Sequence, residues 1–169
     1  ADDTAEKGIF APVICSGEIA AFARDNRIDD EVFGERGYAA SSAYCDVNRD
    51  IAFELPREQL EPFFRGSTSR YASGYQYYRK SGGRSGGASV YDPVRAAEQC
   101  EADAASFFDK KLDVLMQAEN LLPSVPVLSH VCVFSSEQFL QWREGIAWLE
   151  SVYRYAAGKP ASFAFFEDI

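Results

Sequence analysis

The chain has 169 residues and a mass of 18.8 kDa, which suits one domain over residues 1–169 rather than two. With 47% hydrophobic and 14% aromatic residues it can bury a core without a metal or cofactor, and it is neither fibrous nor disordered. Seventeen Lys and Arg against 26 Asp and Glu give a net charge of −9, which excludes the chain as a whole from binding nucleic acid or an anionic membrane.

The polar residues 1–8 begin at Ala1 and match the mature end that removal of a signal peptide leaves. Short helices are predicted over 16–26, 30–33 and 56–65. Between them Ile51, Phe53 and Leu55 alternate with Ala52 and Glu54, the period of a strand. A basic arm over 62–91 follows. The strongest signal is a helix over 93–122: Asp92 caps it, Pro93 fits its first position and Pro123 stops it. Its apolar face is Ala97, Cys100, Ala104, Phe107, Phe108, Leu112, Leu115 and Leu122. Val131 and Val133 alternate with Cys132 and Phe134 as a second strand. A helix over 136–157 has Ser135 and Gln138 in capping-box spacing, and a stripe of Phe139, Trp142, Ile146, Leu149, Tyr153 and Ala156. Phe163 and Phe165 flank Ala164 as a last strand. The expected class is α+β: two long amphipathic helices, shorter helices, a small antiparallel sheet and two disulfides. A mainly α bundle with extended connections is the alternative. No run approaches the ~18 apolar residues of a membrane helix, so no membrane insertion is expected.

Cys15, Cys45, Cys100 and Cys132 are far apart and show neither C-x2-C metal spacing nor a C-x-x-C redox pair. An even count implies two disulfides and an oxidising compartment, secreted or periplasmic. Cys15 to Cys45 and Cys100 to Cys132 are favoured, because each closes a similar loop of 30 or 32 residues and would contribute about 3 to 4 kcal/mol. The other connectivities stay open, as does a chain with four buried thiols.

The unusual chemistry lies at 62–91. That window has no Asp or Glu but carries Arg65, Arg70, Arg79, Lys80 and Arg84, so it is +5 and the rest of the chain −14. Tyr71, Ser73, Tyr75 and Tyr77 share one face of a strand. The run from Ser81 to Gly87 is a loose turn, and Ala88 to Tyr91 is the return strand of a hairpin. Tyrosine and arginine dominate binding hot spots, so Arg70, Tyr71, Tyr75, Tyr77, Tyr78, Arg79, Lys80 and Arg84 are the candidate binding residues. Three uses compete: packing on the acidic body, a protein partner, or an anionic glycan or nucleic acid. The −14 background opposes the last by repelling polyanions.

No catalytic motif is legible. His130 is the single histidine and lies among strand-like apolar residues, with no nucleophile elbow nearby. The run from Gly82 to Gly87 lacks the order of a phosphate loop. Ser67-Thr68-Ser69 and Gln117-Ala118-Glu119 match tripeptides of ADP-ribosyltransferases, but the second sits inside the strongest helix, so no resemblance follows. No cofactor or metal is called for. The expected function is a disulfide-stabilised protein-binding module, effector-, inhibitor- or immunity-like, acting through the arm rather than by catalysis. The alternative is a hydrolase or transferase acting on carbohydrate or cell wall through carboxylates such as Glu54, Glu58 or Glu61.

Overall fold

The computed structural model describes residues 8–17, 19–64, 69–81, 89–125, 127–161 and 163. In chain order these form β1 (Val13–Cys15), β2 (Ile19–Ala21), α1 (Ile28–Phe33), a 3-10 turn (Tyr38–Ala40) and α2 (Ile51–Glu54). Then come α3 (Arg57–Phe64), α4 (Pro93–Leu121), α5 (Ser136–Leu140) and α6 (Gly145–Ala156). The class is α+β with a small antiparallel sheet, but not with the disulfides or all the elements expected.

The α4 helix forms where its end signals place it. The Asp92 carboxylate accepts from Val94 N at 2.9 Å and Arg95 N at 3.3 Å, satisfying two of the first-turn amides that have no partner inside the helix. Its buried face is Ala96, Cys100, Ala104, Phe107, Phe108 and Ala118. Ala96 replaces the expected Ala97, which is exposed. This face packs along α6, where Trp148 is fully buried. The Trp148 ring lies 5.2 Å from Phe107 and 5.5 Å from Trp142, centroid to centroid. Tyr44, Ile28 and Val32 complete the core from the first third of the chain.

The helix expected over 136–157 is two helices. Residues 141–144 turn between them, and a Cβ on Gly145 would stand 2.8 Å from Phe139 Cδ1 and 3.2 Å from Trp142 Cε3, so only glycine admits the close approach that starts α6. The break rotates the second half of the stripe. Ile146 and Tyr153 end 66% and 53% exposed, while Trp148 and Val152 turn inward.

Residues 16–26, expected as a helix, are instead largely a hairpin. Val13, Ile14 and Cys15 pair antiparallel with Ala21, Ala20 and Ile19, and Gly17, at φ +86, supplies the left-handed backbone the turn needs. Residues 51–54 are helical, not extended, because Asp50 caps them: its carboxylate accepts from Ala52 N at 2.9 Å. Around 131 the expected strand shrinks to one parallel bridge between Arg24 and Val131. The strand expected over 163–165 lies outside the described residues beyond Phe163.

All four cysteines are free. Cys15 is exposed on β1, whereas Cys45 is buried beside Glu144, whose Oε1 accepts its amide at 3.2 Å. Cys100 rests against the Glu144 carbonyl. Cys132 follows the Val131 bridge and feels the charge of Lys111, about three turns along α4 from Cys100. Burial pushes the Cys100 and Cys132 thiols up to about 11, so they stay protonated at neutral pH and pack as small hydrophobes. With the four thiols free, no disulfide ties the chain to an oxidising compartment.

Candidate functional site

The arm is fastened by Asp50, at the head of α2. Its Oδ1 accepts from Ser73 Oγ at 2.6 Å as well as from Ala52 N, and its Oδ2 accepts from Gly74 N at 2.7 Å. Burial on its own raises a carboxyl pKa; here the bonds from Ser73, Ala52 and Gly74 outweigh it and hold Asp50 down at about 2. Ile51 N then donates to Tyr75 O at 3.1 Å and Tyr91 N to Tyr77 O at 2.8 Å. The return strand is present as a short antiparallel pairing, with a Tyr78–Val90 bridge and Arg79 N donating to Ser89 O at 3.0 Å.

The described candidate cations, Arg70, Arg79 and Lys80, do not face outward together. Arg70 Nη1 donates to Ala52 O at 3.2 Å and Phe53 O at 3.1 Å, neutralising the carbonyl end of α2. Arg79 Nη1 donates to Ser42 O at 3.1 Å and Lys80 Nζ to Ala39 O at 2.5 Å. Burial lowers the Lys80 pKa. Tyr78 is half-buried under the Arg49 guanidinium, 4.3 Å from its ring centroid. Tyr71, Tyr75 and Tyr77 stay 54%, 61% and 53% exposed, and the Tyr75 and Tyr77 rings lie near-parallel at 9°, with centroids 6.4 Å apart. Arg84 and the turn over 82–88 lie outside the described residues.

A cleft of about 690 Å³ opens between the α1 region and α4, lined by Asp30, Glu31, Glu35, Tyr38, Asp103 and Lys110 among others. Lys110 Nζ donates to Tyr38 OH at 2.8 Å, and Ser106 Oγ lies 3.2 Å from the same oxygen. Asp103 accepts from Tyr44 OH at 2.6 Å and Gln99 Nε2 at 2.8 Å. Glu31 is ion-paired with Lys111. None of these residues stood out as a site in the sequence. The signal was a polar stripe on α4, Gln99, Asp103, Ser106 and Lys110, whose steps of four, three and four residues place them on one face. Glu54, nominated as a carbohydrate-site acid, is tied to Arg49 at 2.5 Å, which lowers its pKa. Glu58 and Glu61 sit exposed on α3, and none of the three lines the cleft.

His130 and Asp25 form a separate buried pair. Their side chains are each 3% exposed, with Nε2 3.1 Å from Oδ2. Lys111 approaches Asp25 to 3.9 Å, and Arg27 Nε bonds its Oδ1 at 3.1 Å. Burial lowers the His130 pKa even against the Asp25 bond. Burial would raise Asp25 too, but the Arg27 and His130 bonds hold it at about 2. The pair joins the segment after β2 to the 131 bridge. Among the described residues, no group of His, Cys, Asp and Glu is arranged to hold a metal ion.

No protein-family model matches the chain, and no curated protein matches it. Among solved structures it is similar to the α-amylase AmyC from Thermotoga maritima, with TM-score 0.79 and 25% identity, over 94% of this chain and 31% of that one. It also shares the fold of a GH57-type branching enzyme from Pyrococcus horikoshii, with TM-score 0.73 and 22% identity, over 98% of this chain and 28% of that one. A GH57 branching enzyme from Thermococcus kodakaraensis, solved with glucose, gives TM-score 0.75 and 22% identity, over 96% and 27%. The chain spans less than a third of the length of these neighbours. They are carbohydrate-active enzymes, which corrects the effector- or inhibitor-like module expected from the arm.

Proposed function

We propose that the chain acts on α-glucan, forming part of a carbohydrate hydrolase or transferase of the amylase and branching-enzyme kind. The observation that carries this reading is the match of 94% of the backbone to the Thermotoga α-amylase at TM-score 0.79. Fold likeness alone assigns no chemistry, so the cleft between α1 and α4 supplies the second support. Its carboxylates, amide, phenol and ammonium are hydrogen-bonding groups of the kind that sugar hydroxyls use. Glycosidic chemistry by two carboxyl groups needs them about 5 to 9.5 Å apart. Glu31 and Asp103 are engaged by Lys111 and Tyr44, so Asp30 and Glu35 are the acids to test.

The experiment is a titration with maltoheptaose, followed by assay of new reducing ends and of altered chain lengths in amylose. Binding by the wild type, weakened in Asp30→Asn and Glu35→Gln, supports the reading. Release of reducing ends assigns hydrolysis, and redistribution of chain lengths without it assigns transfer. Absence of any α-glucan binding overturns the proposal.

A further inference from the structure

The exposed rings of the arm take no part in the cleft. Tyr75 and Tyr77 stand two residues apart, and their near-parallel rings lie side by side with centroids 6.4 Å apart. The peptide beneath them is fixed at Tyr75 by Ile51 N and at Tyr77 by Tyr91 N, and Asp50 holds the preceding Ser73-Gly74 step. A ligand that settles on the rings therefore orders little that is not already ordered, which reduces the entropy cost of binding. Each ring offers a π face that attracts weakly positive C–H groups, with a hydroxyl at its edge that both donates and accepts.

The electrostatics narrow the ligand. Arg70, Arg79 and Lys80 are spent on the carbonyls of Ala52, Phe53, Ser42 and Ala39, and the body outside the 62–91 window is −14. Among the described residues, what faces solvent at Tyr75 and Tyr77 is aromatic and hydroxyl-bearing, suited to a neutral polyol rather than a phosphate or sulfate chain. We propose that Tyr75 and Tyr77 form a second contact for a neutral α-glucan chain, outside the α1–α4 cleft, on which successive sugar faces stack. The proposal rests on the reading of the chain as glucan-acting. The arm also buttresses the cleft wall, because Lys80 and Arg79 bond the carbonyls of Ala39 and Ser42, next to Tyr38 and Ser41 of the lining.

The test measures retardation on an amylose affinity gel and maltoheptaose affinity in solution, for the wild type and for the Tyr75→Ala/Tyr77→Ala and Tyr75→Phe/Tyr77→Phe pairs. The alanine pair is expected to lose roughly tenfold in amylose affinity with the thermal midpoint kept, and the phenylalanine pair to retain most of it. In the wild type, maltoheptaose is expected to protect Tyr75 and Tyr77 from nitration, a measurement that holds even where the alanine pair fails to fold. Unchanged amylose affinity in a folded alanine pair, or no protection, overturns the second contact and leaves the cleft reading standing. Wild-type protein that binds neither amylose nor maltoheptaose overturns both. Binding to heparin that the alanine pair loses, without amylose binding, assigns the rings to an anionic glycan and also overturns the proposal.

Discussion

Two regions of this molecule are held by opposite means. In the body, α4 meets α6 through rings: Trp148 is fully buried and Phe139, Trp142, Phe107 and Phe134 all lie within 6.3 Å of it, centroid to centroid. In the arm, every residue of 69–75 is exposed, and the chain is kept in place by hydrogen bonds that converge on Asp50, on the carbonyls of α2 and on the 39–42 segment. The body is stabilised by non-directional burial. The arm depends on particular donors and acceptors, so it is the more specific of the two, and its rings are left for solvent or a ligand.

That contrast breaks most visibly at the core. Trp148→Ala removes the largest fully buried side chain and is expected to cost about 3 to 5 kcal/mol, read as a lowered midpoint in urea. Asp50→Ala strands the Ser73 hydroxyl, the Gly74 amide and the cap of α2. It is expected to cost about 1 to 3 kcal/mol, with hydrogen exchange accelerated over 69–77 more than over α4. Equal acceleration in both regions would show that the arm is not a separately fastened unit.

Acid acts on both regions, through Asp50 at the arm and through Asp25 and His130 in the body. Asp25 and Asp50 sit at about 2 in the folded chain against an ordinary value of 3.8. Between those values the unfolded chain binds more protons, so their stabilisation is full above about pH 4 and is lost as pH falls toward 2. His130 is also depressed below its ordinary 6.5. The unfolded state therefore protonates first, and stability begins to fall below about that pH. Thermal midpoints measured from pH 7 to 2 should decline in two stages, with His130→Gln removing the upper one and Asp50→Ala reducing the lower. The smallest effect belongs to the exposed rings: Tyr75→Ala/Tyr77→Ala should shift stability by no more than about 0.5 kcal/mol, measured in urea. A larger loss would mean that the rings are structural.

The sequence was most informative where a local signal decides the outcome. Asp92-Pro93 and Pro123 bracket α4 to within a residue or two, because end chemistry acts over one turn. Alternation put Tyr71, Ser73, Tyr75 and Tyr77 on one strand face, but 71–77 form no strand and Gly74 sits at φ +79; what the structure keeps is the side-by-side pair of Tyr75 and Tyr77 rings. Alternation misled at Ile51 and Phe53, where the cap from Asp50 makes a helix of a pattern that four residues cannot resolve. The stripe of 136–157 failed at Gly145, since a break changes the phase of everything after it. The partners of the arm's cations were hidden for a different reason. Arg70, Arg79 and Lys80 bond backbone carbonyls 17 to 41 residues away, and every residue has a carbonyl, so no side-chain pattern announces the partner. The cleft joins residues near 30–41 to residues near 99–110, and only the polar stripe on α4 hinted at it. Four cysteines suggested disulfides by parity, but parity carries no information about burial, and burial makes Cys45, Cys100 and Cys132 packing residues.

The most direct test of the glucan reading is calorimetric titration of the folded wild-type chain with maltoheptaose, using cellohexaose as the β-linked control. Saturable binding of maltoheptaose that Glu35→Gln weakens is expected, with no comparable heat from cellohexaose. Equal binding of both sugars, or of neither, would contradict it.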